Sequence, residues 1–251
     1  MKQARTIDDV ISILDEIIRQ EVANQSNLAI FPVLYKQVTQ RIKEGVANQE
    51  FDDNPRMQRL DVIFANRYLD AYFIYKDGGK PSGSWLHAFD AAKDSSLITL
   101  QHLLLGINAH INLDLGIAVS QTAGNTSDLP KIHSDFNKIN AILSSMVDAV
   151  QKSIGTVSPL FFLLDRFAKG KEDAIAAFSI NVARDGAWIF ANTYHVYIDK
   201  QLAFERRDHV IGQLATKLYT TRSRFLRFVI KIIRWFETKN VNKVVNALGG
   251  K

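Results

Sequence analysis

The stretch "LLLGINAHINLDLGIAV", residues 103–119, is an almost continuous apolar run that nevertheless contains an imidazole, a carboxylate and two amides. Each residue of an α-helix advances by about 100°, so His110 and Asp114 lie on one face and the two amides on the opposite face. Aliphatic residues occupy every sector around them. A helix that is apolar on all sides is usually buried. The pattern therefore predicts a central, buried helix over about residues 96–122.

The composition favours one large helical domain. The chain has 251 residues, of which 47% are hydrophobic and 23% charged, and this suffices for a sizeable core. With only 13 glycines and 5 prolines, a loop-rich β fold is disfavoured. The absence of cysteine excludes disulfides, thiol nucleophiles and cysteine-ligated metals. Acidic residues interrupt the first apolar pattern, and we expect neither a signal peptide nor a membrane-spanning helix.

Helical spacing of apolar residues extends along nearly the whole chain. Thr6 is suited to begin the first helix, and Asn54 to cap a helix whose first residue is Pro55. We predict a single compact all-α domain over residues 1–251, a bundle of about nine to eleven helices with no significant β-sheet. The basic helices of residues 216–251 are expected to pack on the rest. The predicted helices cover approximately residues 6–24, 29–48, 55–77, 85–92, 96–122, 130–153, 158–168, 171–199, 203–219, 222–237 and 239–248.

The strongest candidates for chemistry are His110 and Asp114 of the central helix. A buried, ionised carboxylate is very costly without partners, so Asp114 requires a cation, a metal ion or several hydrogen-bond donors. A His/Asp pair four residues apart can offer two ligands to one divalent ion, such as zinc, iron, manganese or magnesium. It can also form a general base with its orienting carboxylate, or simply a satisfied hydrogen bond in the core. No glycine-rich phosphate loop is present, so no nucleotide cofactor is expected.

A second polar constellation occurs in "NVARDGAWIFANTYHVYID", residues 181–199. At helical spacing, Arg184, Trp188, His195 and Asp199 fall within an arc of about 60°. One interpretation is the solvated face of an amphipathic helix. An indole in the middle of that arc, beside an arginine, is more typical of a pocket wall. We expect Arg184 and Trp188 to be the more enclosed residues, and His195 and Asp199 to be solvated.

Five stretches carry a resemblance to a known family: "FDDNPRMQRLDVIFANRYLDAY", "SWLHAFDAA", "LQHLLLGINAHINLDLGIAV", "DFNKIN" and "ARDGAWIFA". From about Phe31 to Ala191 the chain resembles a bacterial family, domain of unknown function 5995, with NAHIN-x-DL as the most specific part. The resemblance implies a cytosolic, hence cytoplasmic, bacterial protein and no established activity. It also nominates a set of mostly polar or aromatic positions, which are Asp61, Arg67, Tyr68, Trp85, Phe89, Gln101, Asn108, His110, Asn112, Asp114, Asp135, Asn140, Arg184 and Trp188.

A fainter similarity concerns the run from Leu105 to Asp114, which includes Gly106 and His110. It looks like one metal-binding helix of zinc-dependent phospholipase C and of P1-type nucleases, and it implies at most a metal ion. The chain departs from those enzymes because it has no HxxxE helix, and its six histidines are too few for three zinc ions.

Two functional hypotheses follow. In the first, the protein is an enzyme of hydrolase, lyase or isomerase type with a small-molecule site inside the bundle. The helices that carry His110 and Arg184 would then face each other across a shared pocket. Its catalytic residues would be His110, Asp114, Arg184 and Asp61, and its substrate-binding residues Trp85, Trp188, Asn108, Asn112, Tyr68, Gln101 and Asp135. In the second, the protein is not an enzyme and holds a lipid or another hydrophobic or anionic small molecule.

The C-terminal segment has its own charge. Residues 216–251 carry a net charge of +8, so the remainder of the chain sums to −3. In "RSRFLRFVIKIIRWFETK" the residues Phe225, Phe228, Val229, Ile232 and Phe236 lie on one face, with arginines and lysines beyond it. This face could contact an anionic membrane, whereas the structural alternative packs it on the bundle and leaves the arginines solvated. Binding to nucleic acid is not expected, since no motif supports it.

Overall fold

The structure, a computed structural model, describes residues 2–125, 128–168, 174–221 and 223–249. Helices dominate this part of the chain, and it contains no β-strand, so the predicted all-α architecture is confirmed. Two short helical turns, Asn27–Ala29 and Ala174–Ala177, supplement the helices. The helices are α1 (Ile7–Ala23), α2 (Ile30–Ala47), α3 (Asn54–Lys76), α4 (Gly83–Ala91), α5 (Thr99–Ala123), α6 (Leu129–Val157), α7 (Phe162–Ala168), α8 (Ile180–Val196), α9 (Lys200–Tyr219), α10 (Arg224–Phe236) and α11 (Val241–Ala247).

Two helix starts illustrate how local sequence determines the boundaries. Thr6 caps α1, because its Oγ1 accepts a hydrogen bond from the Asp9 backbone at 3.1 Å and the Asp9 carboxylate accepts one from the Thr6 backbone at 3.0 Å. The cap of α3 is Asp53 rather than the predicted Asn54. Its carboxylate accepts a hydrogen bond from the Arg56 backbone at 2.9 Å, and the helix therefore begins one residue earlier than predicted.

The central helix α5 is buried along almost its whole length, as predicted. Its middle, His110–Leu115, is a π-helical turn, a feature that the apolar pattern does not reveal. Two glycines allow neighbouring helices to approach it closely. A Cβ atom on Gly106 would lie 2.5 Å from the ring of Phe31, and one on Gly116 would lie 2.7 Å from the carbonyl oxygen of Ala187. Helices α2 and α8 therefore pack directly on the backbone of α5.

By length and composition, α5 could cross a membrane. Residues 95–113 contain no Asp, Glu, Lys or Arg, and the most apolar window of α5 has a mean hydropathy of 1.4. This finding does not contradict the expectation that no helix spans a membrane, because the buried core helix of a bundle can have the same length and composition. In the structure 94% of that window is buried inside the protein, as in the core helix of a bundle.

The helix predicted over residues 171–199 is shorter and interrupted. Its first residues fall within 169–173, which lie outside the described residues, and the turn Ala174–Ala177 precedes α8. Asp199 lies beyond the end of α8 and caps α9, accepting a backbone hydrogen bond at 2.9 Å. The predicted pair of His195 and Asp199 is consequently divided between two helices.

The C-terminal helices contact the bundle through buried polar groups. The carboxylate of Glu237 accepts a hydrogen bond from the backbone of Thr99 at 3.0 Å, at the start of α5. The backbone of Thr238 donates to the carbonyl oxygen of Val157 at 2.9 Å, at the end of α6. Aliphatic residues of α10 and α11 join two of the hydrophobic clusters of the core.

Candidate functional site

A cavity of about 680 Å³ lies between α2, α3, α5, α6 and α8, and Leu226 of α10 contributes to its wall. This volume is within the range of small-molecule sites. The described side chains that line it are apolar, with five exceptions: Tyr35, Asp61, His110, Gln151 and Arg184. The structure thus places His110, Asp61 and Arg184, three of the predicted catalytic residues, in the wall of one cavity. They come from three different helices.

Aromatic rings enclose His110 at this wall. Its imidazole stacks on Phe64 with 3.6 Å between ring centroids and meets Tyr35 edge-on at 4.4 Å. Burial lowers the pKa of His110 even though Asp114 opposes that shift, so the imidazole is neutral at neutral pH. Neither ring nitrogen has a hydrogen-bond partner in the described part of the chain. The cavity therefore borders an imidazole that can still accept or donate a hydrogen bond.

Asp114 is a buried carboxylate with three partners. Its Oδ1 lies 2.8 Å from Nε of Arg67, and its Oδ2 lies 2.7 Å from Nε1 of Trp85 and 3.6 Å from Nδ1 of His110. The last distance exceeds that of a hydrogen bond, so it is an electrostatic contact. Burial opposes ionisation of Asp114, but the charge of Arg67 and the contacts with His110 and Trp85 outweigh it and hold its pKa below the ordinary value. An ionised carboxylate behind an imidazole is the arrangement that orients a histidine base.

The predicted metal pair does not fit a divalent ion. Both oxygens of Asp114 already accept hydrogen bonds, and the guanidinium of Arg67 supplies the positive charge that a metal would bring. A zinc site uses three or four protein ligands. Within the described ranges, no group of three or more His, Asp or Glu side chains is placed to hold one ion. His110 and Asp114 therefore form an imidazole with a carboxylate partner.

Asp61 contributes a buried carboxyl group to the cavity wall. Its side chain is buried, and neither of its oxygens has a hydrogen-bond partner among the described residues. The loss of hydration raises the pKa of Asp61 to about 7. A carboxyl group with this pKa exchanges a proton near neutral pH. It is thus suited either to donate a hydrogen bond to a ligand or to transfer a proton.

Arg184 places a buried guanidinium at the cavity wall. The residue is only 2% exposed, its Nη2 donates to the carbonyl oxygen of Phe136 at 2.6 Å, and its guanidinium lies 4.1 Å from the centre of the Phe136 ring. No carboxylate of the described chain forms a salt bridge with it. Burial lowers the pKa of Arg184 to about 9, against the opposing charge of Asp185. The guanidinium is therefore still charged at neutral pH.

The rest of the arc on α8 lies outside the cavity. Trp188 is half-buried and packs on Phe136 with 5.2 Å between ring centroids, so it is not the predicted pocket wall. His195 is half-buried, with its Nδ1 3.1 Å from Oγ of Ser120, and Asp199 is exposed as predicted. Arg184 is thus the one residue of this arc that reaches the cavity in the described structure.

The amides of α5 connect it to α9. Nδ2 of Asn112 donates to Oδ1 of Asn108 at 3.0 Å, and Nδ2 of Asn108 donates to the carbonyl oxygen of Ile211 at 3.1 Å. Nε2 of Gln101 donates to the carbonyl oxygen of Leu218 at 3.1 Å. These three residues were predicted to bind substrate. In the structure Asn108 and Gln101 satisfy backbone carbonyls of α9, and Asn112 bonds to the side chain of Asn108. None of the three lines the cavity.

Three further predicted substrate-binding residues also have structural partners. Trp85 and Tyr68 pack together with 5.2 Å between ring centroids, and Trp85 holds Asp114. Asp135 accepts hydrogen bonds at 2.6 and 3.1 Å from two consecutive backbone N–H groups before α3, and one at 3.1 Å from Arg56. None of the three lines the large cavity. Trp85 bonds to Asp114 on α5, the helix of His110, and Asp135 bonds to the backbone just before α3, the helix of Asp61.

Sequence reasoning did not anticipate the groups around His110. Arg67 was nominated only by the family resemblance, although it is the charged partner of Asp114. Phe64 follows Asp61 by three residues, and residues at this spacing are neighbours on a helix. This spacing could have identified Phe64 as a residue near the site. Tyr35 carries no such signal, because its approach to His110 depends on how α2 packs on α5.

The fold and the cavity define an all-α protein with a deep apolar cavity bordered by an imidazole, a carboxyl group and a guanidinium. The chain belongs to a family of unknown function, DUF5995, whose profile matches residues 7–221. This confirms the resemblance found in the sequence. The matched residues include the cavity lining with the exception of Leu226. No curated protein and no solved structure gives a significant match to the chain.

Proposed function

We propose that the protein binds an amphipathic small molecule, with its apolar chain in the cavity and an anionic or carbonyl-bearing head at Arg184. The observation that carries this proposal is a charged, buried guanidinium without a carboxylate partner in the described structure, at the wall of an apolar cavity. An unpaired buried charge destabilises a folded protein. An anionic ligand would pair with the guanidinium and remove this cost in stability. The free energy recovered in this way would favour binding.

The apolar wall supplies the rest of the expected affinity. Its described side chains come from seven helices and the segments between them, and the acidic and basic groups among them are Asp61, His110 and Arg184. Each methylene group that leaves water contributes about 0.8 kcal/mol. A chain of eight to twelve carbons would therefore bind mainly through burial, while the polar residues would determine which head group is accepted.

Asp61 and His110 would select the head group together with Arg184. Because the pKa of Asp61 is about 7, the carboxyl group is partly protonated at neutral pH. In its protonated form it carries no charge that would repel an anionic head group. The protonated carboxyl group is a hydrogen-bond donor for a carboxylate or carbonyl oxygen. His110 is neutral and has an unpartnered Nε2 within the described structure.

Fluorescence titration with dansylaminoundecanoic acid tests the proposal. Binding in the cavity should give a saturable increase and a blue shift of dansyl emission. Val147→Trp, in the cavity wall, should weaken binding at least tenfold, whereas Val210→Trp, at an exposed position of α9, should leave it unchanged. Unsaturable binding, or equal affinities of the two variants, would show that the probe does not occupy this cavity.

A second candidate function, favoured by the Asp114–His110 pair, is acid–base catalysis on the bound molecule. Asp114 is ionised 3.6 Å from Nδ1 of His110, and Asp61 has a pKa of about 7 in the same cavity. A general acid–base pair needs a proton donor whose pKa is near 7, which Asp61 provides, and an unprotonated base, which the neutral imidazole of His110 provides. His110 would take a proton from water or from the substrate, and Asp61 would protonate the leaving oxygen or carbon.

Hydrolysis of p-nitrophenyl decanoate tests the catalytic candidate. Turnover should exceed that of p-nitrophenyl acetate, because the longer chain is held by the apolar wall. His110→Ala should lower kcat at least 100-fold, Asp61→Asn should lower it less because p-nitrophenolate leaves without taking up a proton, and His209→Ala, at an exposed position, should have no effect. Equal turnover in all four proteins would eliminate this catalytic role and leave binding as the proposed function.

A further inference from the structure

We propose that the outer face of α10 docks on an anionic phospholipid membrane. The outer face consists of the exposed residues Arg224, Arg227, Phe228, Lys231, Trp235 and Phe236. This inference rests on the exposure and charge of α10 itself. It does not depend on which molecule, if any, occupies the cavity.

Burial divides α10 into two different apolar faces. The inner face is aliphatic, and its residues Leu226, Val229, Ile230 and Ile233 are buried against the bundle. Phe228 and Trp235, which are 60% and 84% exposed, lie on the opposite side, and Phe236, which is 60% exposed, lies between the two faces. Of the face that the sequence-based alternative packs on the bundle, Val229 is buried, whereas Phe228 and Phe236 are exposed. Burial of the aliphatic face leaves large aromatic side chains in water.

Cations flank the exposed aromatic residues. At 100° per residue, Trp235 lies within about 20° of Phe228, and Arg224 and Lys231 lie within about 60° of it. Helix α10 contains no acidic residue, and the Glu237 that follows it is buried and bonded to Thr99. The surface is therefore positive with an aromatic centre. Lys and Arg attract anionic head groups, while Trp and Phe partition into the boundary between head groups and acyl chains.

Other partners fit this surface less well. A second copy of the chain on a two-fold axis would place the arginines and lysines of α10 against themselves, and like charges in an interface are repulsive. A nucleic acid duplex would use the cations but offers no apolar layer for Phe228 and Trp235, and single-stranded RNA, whose bases can stack on aromatic rings, is included in the test below. An anionic bilayer accommodates both kinds of side chain at once.

The same helix also borders the cavity. Leu226 on the inner face of α10 lines it, as does Leu164 of α7, which belongs to the same hydrophobic cluster. Docking of the outer face would thus place one wall of the cavity next to the bilayer. The matched family range ends at Thr221, before α10 begins, so the proposal concerns a segment outside that range.

Co-sedimentation of the full chain with lipid vesicles tests this proposal. We expect binding to vesicles in which one third of the phosphatidylcholine is replaced by phosphatidylglycerol, and little binding to phosphatidylcholine alone. High salt should weaken binding, because it screens exposed charges. Tryptophan emission should shift to the blue on binding, and Trp235→Phe should abolish that shift, since Trp85 is buried and Trp188 half-buried.

Two sets of variants separate charge from apolar insertion. The triple variant R224Q/R227Q/K231Q should lower the partition coefficient at least about tenfold, and the double variant F228A/W235A should lower it to a similar extent. As matched controls, R5Q/R19Q/R59Q removes exposed cations that form no salt bridge in the described structure, and I189A/V196A removes exposed apolar side chains of α8. Both controls should bind as the parent does.

The proposal is overturned if anionic vesicles do not retain the parent at low salt, or if the α10 variants bind as well as the controls. Retention by single-stranded RNA with no retention by vesicles would also overturn it. Circular dichroism of each variant establishes that it is folded before it is compared.

Discussion

Nε of Arg67 lies 2.8 Å from Oδ1 of Asp114, and this ion pair joins α3 to the π-helical turn of α5. Asp114 is buried, while the side chain of Arg67 is 24% exposed, so the guanidinium extends from solvent to a carboxylate in the core. The other carboxylate oxygen faces Trp85 and His110. The pair therefore holds the carboxylate of Asp114 beside the imidazole at the cavity wall.

Removing either partner of this pair should destabilise the protein. We expect Arg67→Met and Asp114→Asn each to lower the free energy of unfolding by about 2 kcal/mol or more, because each leaves a buried group without its partner. The double variant should lose less than the sum, with a coupling free energy of about 1 kcal/mol. Urea denaturation measures all three. Lys93→Met, which breaks the exposed pair with Asp90, is the control and should change stability by less than about 0.5 kcal/mol.

Asp61 should make the protein less stable as the pH rises from about 4 to about 7. In the unfolded chain this carboxyl group ionises near its ordinary value of 3.8, whereas in the folded protein it keeps its proton up to about pH 7. Between these values the unfolded state binds fewer protons, so an increase in pH favours unfolding. Asp61→Asn should remove this slope and raise the free energy of unfolding at pH 8 by about 2–4 kcal/mol.

Denaturation curves collected from pH 4.5 to pH 8 on the parent and on Asp61→Asn measure this effect. Asp148→Asn, at an exposed position of α6, should keep the slope of the parent. If Asp61→Asn also keeps it, Asp61 has a polar partner that the structure does not show.

Gly106 is required by the close approach of α2 to α5. A Cβ atom on Gly106 would lie 2.5 Å from the ring of Phe31, which cannot move without disturbing the aromatic residues around His110. We expect Gly106→Ala to lower the free energy of unfolding by about 1–3 kcal/mol. Gly155→Ala is the opposite case, because it adds a methyl group in open space on α6 and should raise stability by up to about 1 kcal/mol. Thermal denaturation of both variants tests the difference in sign.

Arg184 should reduce the stability of the ligand-free protein. Replacing it with Met removes a buried charge that has no carboxylate partner in the described structure, so the variant should be as stable as the parent or more stable by about 1 kcal/mol. Arg56→Met provides the contrast, since Arg56 is paired with the buried Asp135 at 3.1 Å and its loss should be destabilising. A large loss of stability in Arg184→Met would mean that the bond to Phe136 is its main role.

The sequence predicted the scaffold more completely than the site. Periodicity and burial of α5 could be predicted because they depend on residues close together in the chain. His110 and Arg184 were selected for being polar within apolar helices, a criterion that does not depend on how the helices pack, and Asp61 was nominated by the family resemblance. The same criterion misassigned Asn108 and Gln101, because a buried amide can satisfy either a ligand or a neighbouring backbone carbonyl. Only the packing of α9 on α5 determines whether the partner of such an amide is a ligand or a backbone carbonyl.

Which face of α10 is buried could not be predicted from the sequence either. Apolar residues occur on both sides of the helix, so the sequence allows either side to pack on the bundle. The structure buries Leu226 and Ile233 and leaves Phe228 and Trp235 in solvent. The π-helical turn at His110–Leu115 was not predictable either, since it depends on how the turn is hydrogen-bonded and not on residue spacing.

The central claim is that Arg184 receives the anionic head of an amphipathic ligand. Titration calorimetry with dodecanoate and with dodecanol, on the parent and on Arg184→Met, tests it most directly. The parent should bind dodecanoate at least tenfold more tightly than dodecanol, and Arg184→Met should lose this preference while it still binds dodecanol. No binding of either molecule to the parent, or an unchanged preference in Arg184→Met, would contradict the claim.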